Sequence, residues 1–253
     1  MPIQNIAEVI TRLDAIVQQT KTEKSCFGYF AALYKRMTIA VDEGIKHNLF
    51  EDGSRMDRLD VVFAQRYIDA YEAYKAGGQC TSSWKFVFDN CSNNDLTVVQ
   101  HILLGVNTHI NLDLAIATAE MADKNGIDAL QNDFNKINDV IATLIDDVQE
   151  CLSQVWLPMR LLDKIVSGRH VPVLNFSIDK ARTASWSSAL ILAGLNTEQK
   201  QFYINQMDTV VLRVCQGIAS PGLLTGMMLK AIRTTEYDDA ARTINLIDTT
   251  IVD

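Results

Sequence analysis

Residues 100–113 read QHILLGVNTHINLD, a stretch with the leucine content of a buried helix that also carries His101, Asn107, His109, Asn111 and Asp113. A buried polar side chain without a partner costs about 1–3 kcal/mol. Such a helix is therefore stable only if neighbours satisfy it from more than one side. On a wheel at ~100° per residue with His101 at zero, Gly105, His109 and Asp113 fall near ~40°, ~80° and ~120°. Gln100, Asn107 and Asn111 gather between ~240° and ~280° on a second face, with leucine, valine and isoleucine between the two. Two polar faces exclude a simple surface helix. The pattern predicts a helix through the middle of a bundle, each polar face meeting a neighbouring helix, and Gly105 leaves room for a ligand or a close helix.

The rest of the chain carries the same rhythm. Only four prolines and twelve glycines interrupt its 253 residues. Apolar residues at 3, 6, 10, 13 and 17 follow the i, i+3, i+4, i+7 spacing of an amphipathic helix, and Phe30, Leu33, Met37 and Val41 form one stripe of the next, over 26–50. A third helix is expected over 56–76, stopped by Gly77 and Gly78, then a short one carrying Trp84, Phe86 and Phe88. The central helix is expected to be capped by Asn94 or Asp95 and to run to about Ala122, with Gly126 closing the turn after it. Further helices are expected over 128–152, 157–166, 176–193, 197–216 and 221–232, with Pro221 at a first helical position. Thr197 with Lys200 lacks the Glu or Gln of a capping box. Strand-like alternation is confined to fragments such as HVPVLNF at 170–176. These elements predict an all-α fold, one domain over 1–253, with about nine or ten helices around a polar central one.

Charge and composition narrow the function classes. A formal charge of −8 and a pI near 5.0 argue against a nucleic-acid partner, which requires a concentrated basic face. No apolar run approaches the ~20 residues of a membrane span, and the N-terminus lacks the pattern of a signal peptide. Five scattered cysteines without a CxxC pair fit reduced thiols. The expectation is a cytoplasmic protein with a small-molecule ligand and neither a membrane nor a nucleic acid as partner. GxSxG, P-loop and post-strand GxGxxG motifs are all missing.

Chemistry concentrates on the central helix. His109 and Asp113, four apart, project side by side. Either both ligate one metal ion or the carboxylate orients the imidazole as a general base. His101 lies ~12 Å of helix away, an awkward distance for a shared ion, and is a further catalytic candidate. Asp133 is the candidate third carboxylate of a site for one divalent ion (zinc, manganese or magnesium); the alternative is a carboxylate favoured by a helix N-terminus. Asn107 and Asn111 either bind substrate or bridge the backbone of adjacent helices. Arg66 and Arg182 sit among apolar neighbours. They either hold an anionic substrate or close an ionic network with Asp113 and Asp133. DDVQE at 146–150 has the spacing of a prenyl-diphosphate magnesium site, although its second motif is missing; Asp238 and Asp239 are expected to be exposed.

RYIDA at 66–70, Trp84, QHILLGVNTHINLDL at 100–114, NDFNKIN at 132–138 and ARTASW at 181–186 together resemble a bacterial family of unknown function marked by a QHLLLGxNAHINxDL helix. The likeness spans roughly residues 55–195. It implies Arg66, His101, Asn107, His109, Asn111, Asp113, Asp133, Asn138, Arg182 and Trp186 as positions to examine, without implying a reaction. LGVNTHINLD alone is similar to the zinc-binding helix of zinc-dependent phospholipases C and single-strand-specific zinc nucleases. That resemblance would make His109 and Asp113 metal ligands. Those enzymes carry a histidine six residues after the aspartate, where this chain has Ala119, and they need more than its four histidines. Full trinuclear zinc chemistry is thereby excluded. The primary expectation is an enzyme of hydrolase or lyase/cyclase type working on a small molecule. His109, His101 and Asp113 would be catalytic, and Asn107, Asn111, Arg66, Arg182 and Trp186 would bind substrate. The alternatives are a non-catalytic scaffold or ligand-binding protein with the same residues as a structural network, and a terpene-cyclase-like enzyme using DDVQE.

Overall fold

The computed structural model describes residues 3–122, 126–138, 140 and 178–249. Among them the regular elements are all helical, with no strand. The expected segments at 141–152, 157–166 and 170–176, including DDVQE and HVPVLNF, lie outside the described residues, as does Cys151.

Helix α1 (Ile6–Glu23) starts at Asn5, whose side chain accepts from the Glu8 amide, and ends in a left-handed Lys24. The chain turns there into α2 (Phe27–Lys46), which packs back on α1. Helix α3 (Gly53–Lys75) begins at an Asp52 cap, earlier than the expected 56, because that cap satisfies the Arg55 amide. It ends before Gly77, which takes φ 72°. Helix α4 (Ser82–Asp89) carries Trp84, Phe86 and Phe88, and a 3₁₀ turn (Asn90–Ser92) follows.

The central helix begins at Thr97, not Asn94 or Asp95. Thr97 and Gln100 form a full capping box, and the Val98 amide donates to Glu236. The helix comprises α5 (Val98–Thr108), a π-helical segment (His109–Leu114) and α6 (Ala115–Glu120). At 23 residues, with an 18-residue stretch of mean hydropathy 1.3, it is long and apolar enough to cross a membrane, against the composition-based expectation, but 83% of that stretch is buried inside the protein. After Gly126 at φ 81° come a 3₁₀ turn (Asp128–Leu130) and helical residues 131–138.

Helices α7 (Ile178–Ala193), α8 (Thr197–Ala219), α9 (Leu223–Arg233) and α10 (Ala240–Thr249) complete the bundle. Two details depart from the sequence reading. The cap of α8 is Asn196 with Gln199, a capping box one residue upstream of the pair considered. Helix α10, which the periodicity did not reveal, is started by exposed Asp239 accepting from the amides of Ala241 and Arg242. It docks on α1 and α2, and Lys35 there bonds Asp248.

The central helix contacts α2, α3, α4, α7 and α8. Its fully buried Leu104, Leu112 and Leu114 each contribute about 1.5–3 kcal/mol of apolar burial. Gly105 sets the approach of α2: a Cβ there would stand 2.5 Å from Phe30 Cγ.

The expectation of uniformly reduced thiols is corrected. Cys26 at the start of α2 and Cys91 in the turn after α4 form a disulfide, with Cα atoms 5.6 Å apart. A separation of 65 residues hid the pairing, because only the packing of α2 beside α4 brings them together. Cys80 and Cys215 are free.

Gly105→Ala is expected to lower unfolding stability by about 1–3 kcal/mol, since Phe30 is clamped by rings on several sides. Urea denaturation measures it, and a variant as stable as the parent would show that α2 does not need this close approach.

Candidate functional site

The two polar faces of the central helix have different fates. On one, Gln100 donates to the Ile218 carbonyl, and Asn107 donates to the Val211 carbonyl and to Cys215 Sγ. Asn111 donates to the carbonyl and the side-chain oxygen of Asn107. This face is a polar seam holding α8. It brings Asn107 to the backbone of α8 and Asn111 to Asn107.

The other face turns toward α2, α3 and α4. The π-helical turn keeps His109 and Asp113 side by side, and His109 Nδ1–H donates to Asp113 Oδ2 at 2.9 Å. Trp84 Nε1–H donates to the same oxygen at 2.8 Å, and Arg66 Nε–H donates to Oδ1 at 3.3 Å. Asp113 is 1% exposed, a buried carboxylate held by three donors. The Arg66–Asp113 pair is the ionic contact the sequence suggested. Arg66 also reaches Glu120 at 3.7 Å.

This bonding fixes the histidine. With Nδ1 carrying the proton, Nε2 presents a lone pair, and Nε2 is buried without a hydrogen-bond partner. Phe63 stacks on the imidazole face at 3.7 Å between centroids, and the Tyr34 ring meets it edge-on at 4.5 Å. Burial holds the imidazole pKa below its usual value, with Asp113 pulling the other way.

His109 lines a cavity of about 220 Å³ between the central helix, α2 and α3, with Ile137, Val140 and the start of α7 completing the wall. The wall is mostly apolar, and the α2 stripe seen in the sequence (Phe30, Leu33, Met37, Val41) supplies one side of it. Three more lining residues carry a buried atom without a well-formed hydrogen bond, Tyr34 OH, Thr38 Oγ1 and Asp60 Oδ2, the first two close enough to interact with each other. Burial, reinforced by Asp57 and Asp42, raises the Asp60 pKa to about 8, so this carboxyl is protonated at neutral pH. Burial also lifts the Tyr34 phenol well above its usual value, with Asp60 and Asp113 adding to the effect.

The other candidates lie apart. His101 faces the disulfide, its Nδ1 3.7 Å from Cys26 Sγ, in a separate pocket of about 20 Å³. Burial and the Arg233 charge lower its pKa to about 4. Asp133 accepts from the amides of Glu51 and Asp52 and from Arg55 Nη2, so it anchors the start of α3. The structure therefore does not bring Asp133 to His109 and Asp113. Among the described residues no group of three His, Cys, Asp or Glu side chains is placed to hold a metal ion. Arg182 does not take Asp133. It donates to Asn138 Oδ1 and the Phe134 carbonyl and lies over the Phe134 ring, while its side chain reaches the cavity wall. Trp186 packs against Phe134.

Tyr34, Thr38, Asp60 and Phe63 were missed by sequence reasoning. A signal existed for Asp60. It stands on the inward stripe of α3 between Met56, Leu59 and Phe63, where an acid is out of place.

The chain belongs to the family of unknown function DUF5995, whose model matches residues 6–221. That match extends beyond the 55–195 span of the sequence resemblance. No curated protein and no solved structure matches the chain.

Asp113→Ala removes the shared acceptor of Arg66, Trp84 and His109. It is expected to cost about 3–5 kcal/mol, read by urea denaturation. Asp60 gives a pH signature of definite sign. Its carboxyl ionises near 3.8 when unfolded and near 8 when folded, so between these values the folded state holds the extra proton. Stability conferred by this site therefore falls as pH rises across that window. Asp60→Asn is expected to gain on the wild type in urea midpoint between about pH 5 and about pH 8. A difference constant with pH would show that Asp60 is ionised in the fold.

Proposed function

We propose that the protein is an acid–base enzyme acting on a small, largely apolar molecule within the α2–α3–central-helix cavity. His109 Nε2 is the base. The supporting observation is the contrast at this ring: Nδ1 is committed to Asp113, while Nε2 stands unpartnered beside a void. A purely structural network would leave neither an orphaned nitrogen nor a cavity.

In this reading His109 Nε2 takes a proton from the substrate. Asp113 holds the tautomer and stabilises the imidazolium, itself steadied by Trp84 and Arg66. Asp60, protonated in its apolar setting, is the acid that returns a proton elsewhere on the substrate, and Tyr34 is a second donor on the same wall. Of the two reaction types expected from the sequence, the apolar wall favours lyase or cyclase chemistry by proton transfer over hydrolysis, which needs a positioned water. The rival reading, a non-catalytic ligand-binding protein, uses the same cavity with His109 only as a hydrogen-bond acceptor. For its compartment we retain the cytoplasm as a proposal from composition. The Cys26–Cys91 bond counts against it, because disulfides persist in oxidising surroundings and are rare in a reducing cytoplasm.

Deuterium uptake at the α-carbon of 2-tetralone, followed by mass spectrometry, tests the base directly. The protein is expected to accelerate exchange, and His109→Gln is expected to lose about 100-fold or more of that acceleration while keeping its helical circular dichroism. Equal rates in the two proteins, or binding of the ketone without exchange, would leave the ligand-binding reading in its place.

A further inference from the structure

Size, wall and polar atoms together define what the cavity holds. We infer that its ligand is an uncharged, compact hydrocarbon skeleton of about nine to eleven non-hydrogen atoms bearing a single hydroxyl or carbonyl group. A cavity of about 150 Å³ accommodates benzene, so 220 Å³ corresponds to a skeleton half as large again or slightly more. This inference rests on the cavity of the proposed function but concerns binding alone.

Three observations set the polarity. The wall from α2 and the central helix is aliphatic and aromatic, with Phe30, Leu33, Met37 and Val106 among its members, so an extended polar surface on the ligand would lose its hydration there without return. The unpartnered atoms lie on α2, α3 and the π-helical turn and include both kinds of group. His109 Nε2 accepts, and the protonated Asp60 carboxyl, Tyr34 OH and Thr38 Oγ1 donate. One ligand hydroxyl donates to His109 Nε2 and accepts from one or two of the donors, a carbonyl accepts from the donors alone, and a pure hydrocarbon leaves His109 Nε2 and the Asp60 carboxyl unpaired. Charge is disfavoured in both signs. The Asp60 carboxyl is protonated and Asp113 is already paired with Arg66, so a ligand charge of either sign would lose its hydration in the apolar wall without gaining a counter-ion there. Arg182 itself is committed to Asn138 and the Phe134 carbonyl.

Isothermal titration of the full chain with naphthalene, 2-naphthol, 2-naphthoate, 2-(aminomethyl)naphthalene and pyren-1-ol tests the inference. 2-Naphthol is expected to bind about tenfold more tightly than naphthalene, the return on one recovered hydrogen bond. The anion, the cation and the larger pyrenol are expected to show no binding at concentrations that saturate with 2-naphthol. Val106→Phe fills the cavity and is expected to abolish 2-naphthol binding, with Leu33→Phe as the second filling variant should the first fail to fold. Binding of either charged probe or of pyren-1-ol as tight as that of 2-naphthol, absence of 2-naphthol binding, or binding that survives a folded filling variant would overturn it. A catalytically inert protein that binds 2-naphthol as described sinks the acid–base reading and leaves this one standing.

Discussion

Much of the structure depends on one buried carboxylate. Asp113 takes hydrogen bonds from α3 through Arg66, from α4 through Trp84 and from its own turn through His109, so three segments meet at two oxygen atoms. A carboxylate in such a place is costly to desolvate, and it is tolerable only because each donor arrives in good geometry. The same arrangement that makes the ion stable decides the histidine tautomer. The packing of α3 and α4 on the central helix and the chemical state of His109 are thus two outcomes of one interaction.

The π-helical segment gives the central helix its division of labour. Below it, α5 presents Gly105 to Phe30 of α2 and Gln100 and Asn107 to α8, which are contacts of ordinary bundle packing. At the segment itself His109 and Asp113 face α2, α3 and α4, and the cavity opens there. A widened turn of this kind sacrifices regular backbone hydrogen bonding, and such turns are frequent at functional sites. The polar atoms left unmatched on the cavity wall belong to α2, α3 and this turn, while others such as Tyr71 OH, Thr118 Oγ1, Ser185 Oγ and Thr243 Oγ1 stand elsewhere in the core; what sets the wall apart is that its unmatched atoms border a void.

The helical architecture was legible because it follows from short-range spacing. The stripe Phe30, Leu33, Met37, Val41 marked the inner face of α2, and the two polar faces of the central helix marked it as internal. Within the site the His109–Asp113 pairing was equally readable, being a matter of four residues on one helix. The roles of Asn107 and Asp133 were open in the sequence, and the structure brings both to backbone groups of other elements. The Cys26–Cys91 bond and helix α10 escaped notice, the first because it spans 65 residues and the second because its ten residues give the apolar pattern only about three turns in which to repeat.

Periodicity, composition and the HINLD spacing by themselves determined an all-helical chain with a polar helix at its centre and a histidine–aspartate pair upon it. These are properties of neighbours along the chain, and hydrophobic burial converts them directly into helices and inner faces. Which polar atoms found partners was decided only by the tertiary structure. It matched Asp133 to the start of α3 and Asn107 to α8, and left His109 Nε2 and Asp60 facing a void. A partner across the bundle depends on the packing of side chains from four or five distant segments, and no spacing within any one of them encodes that distance.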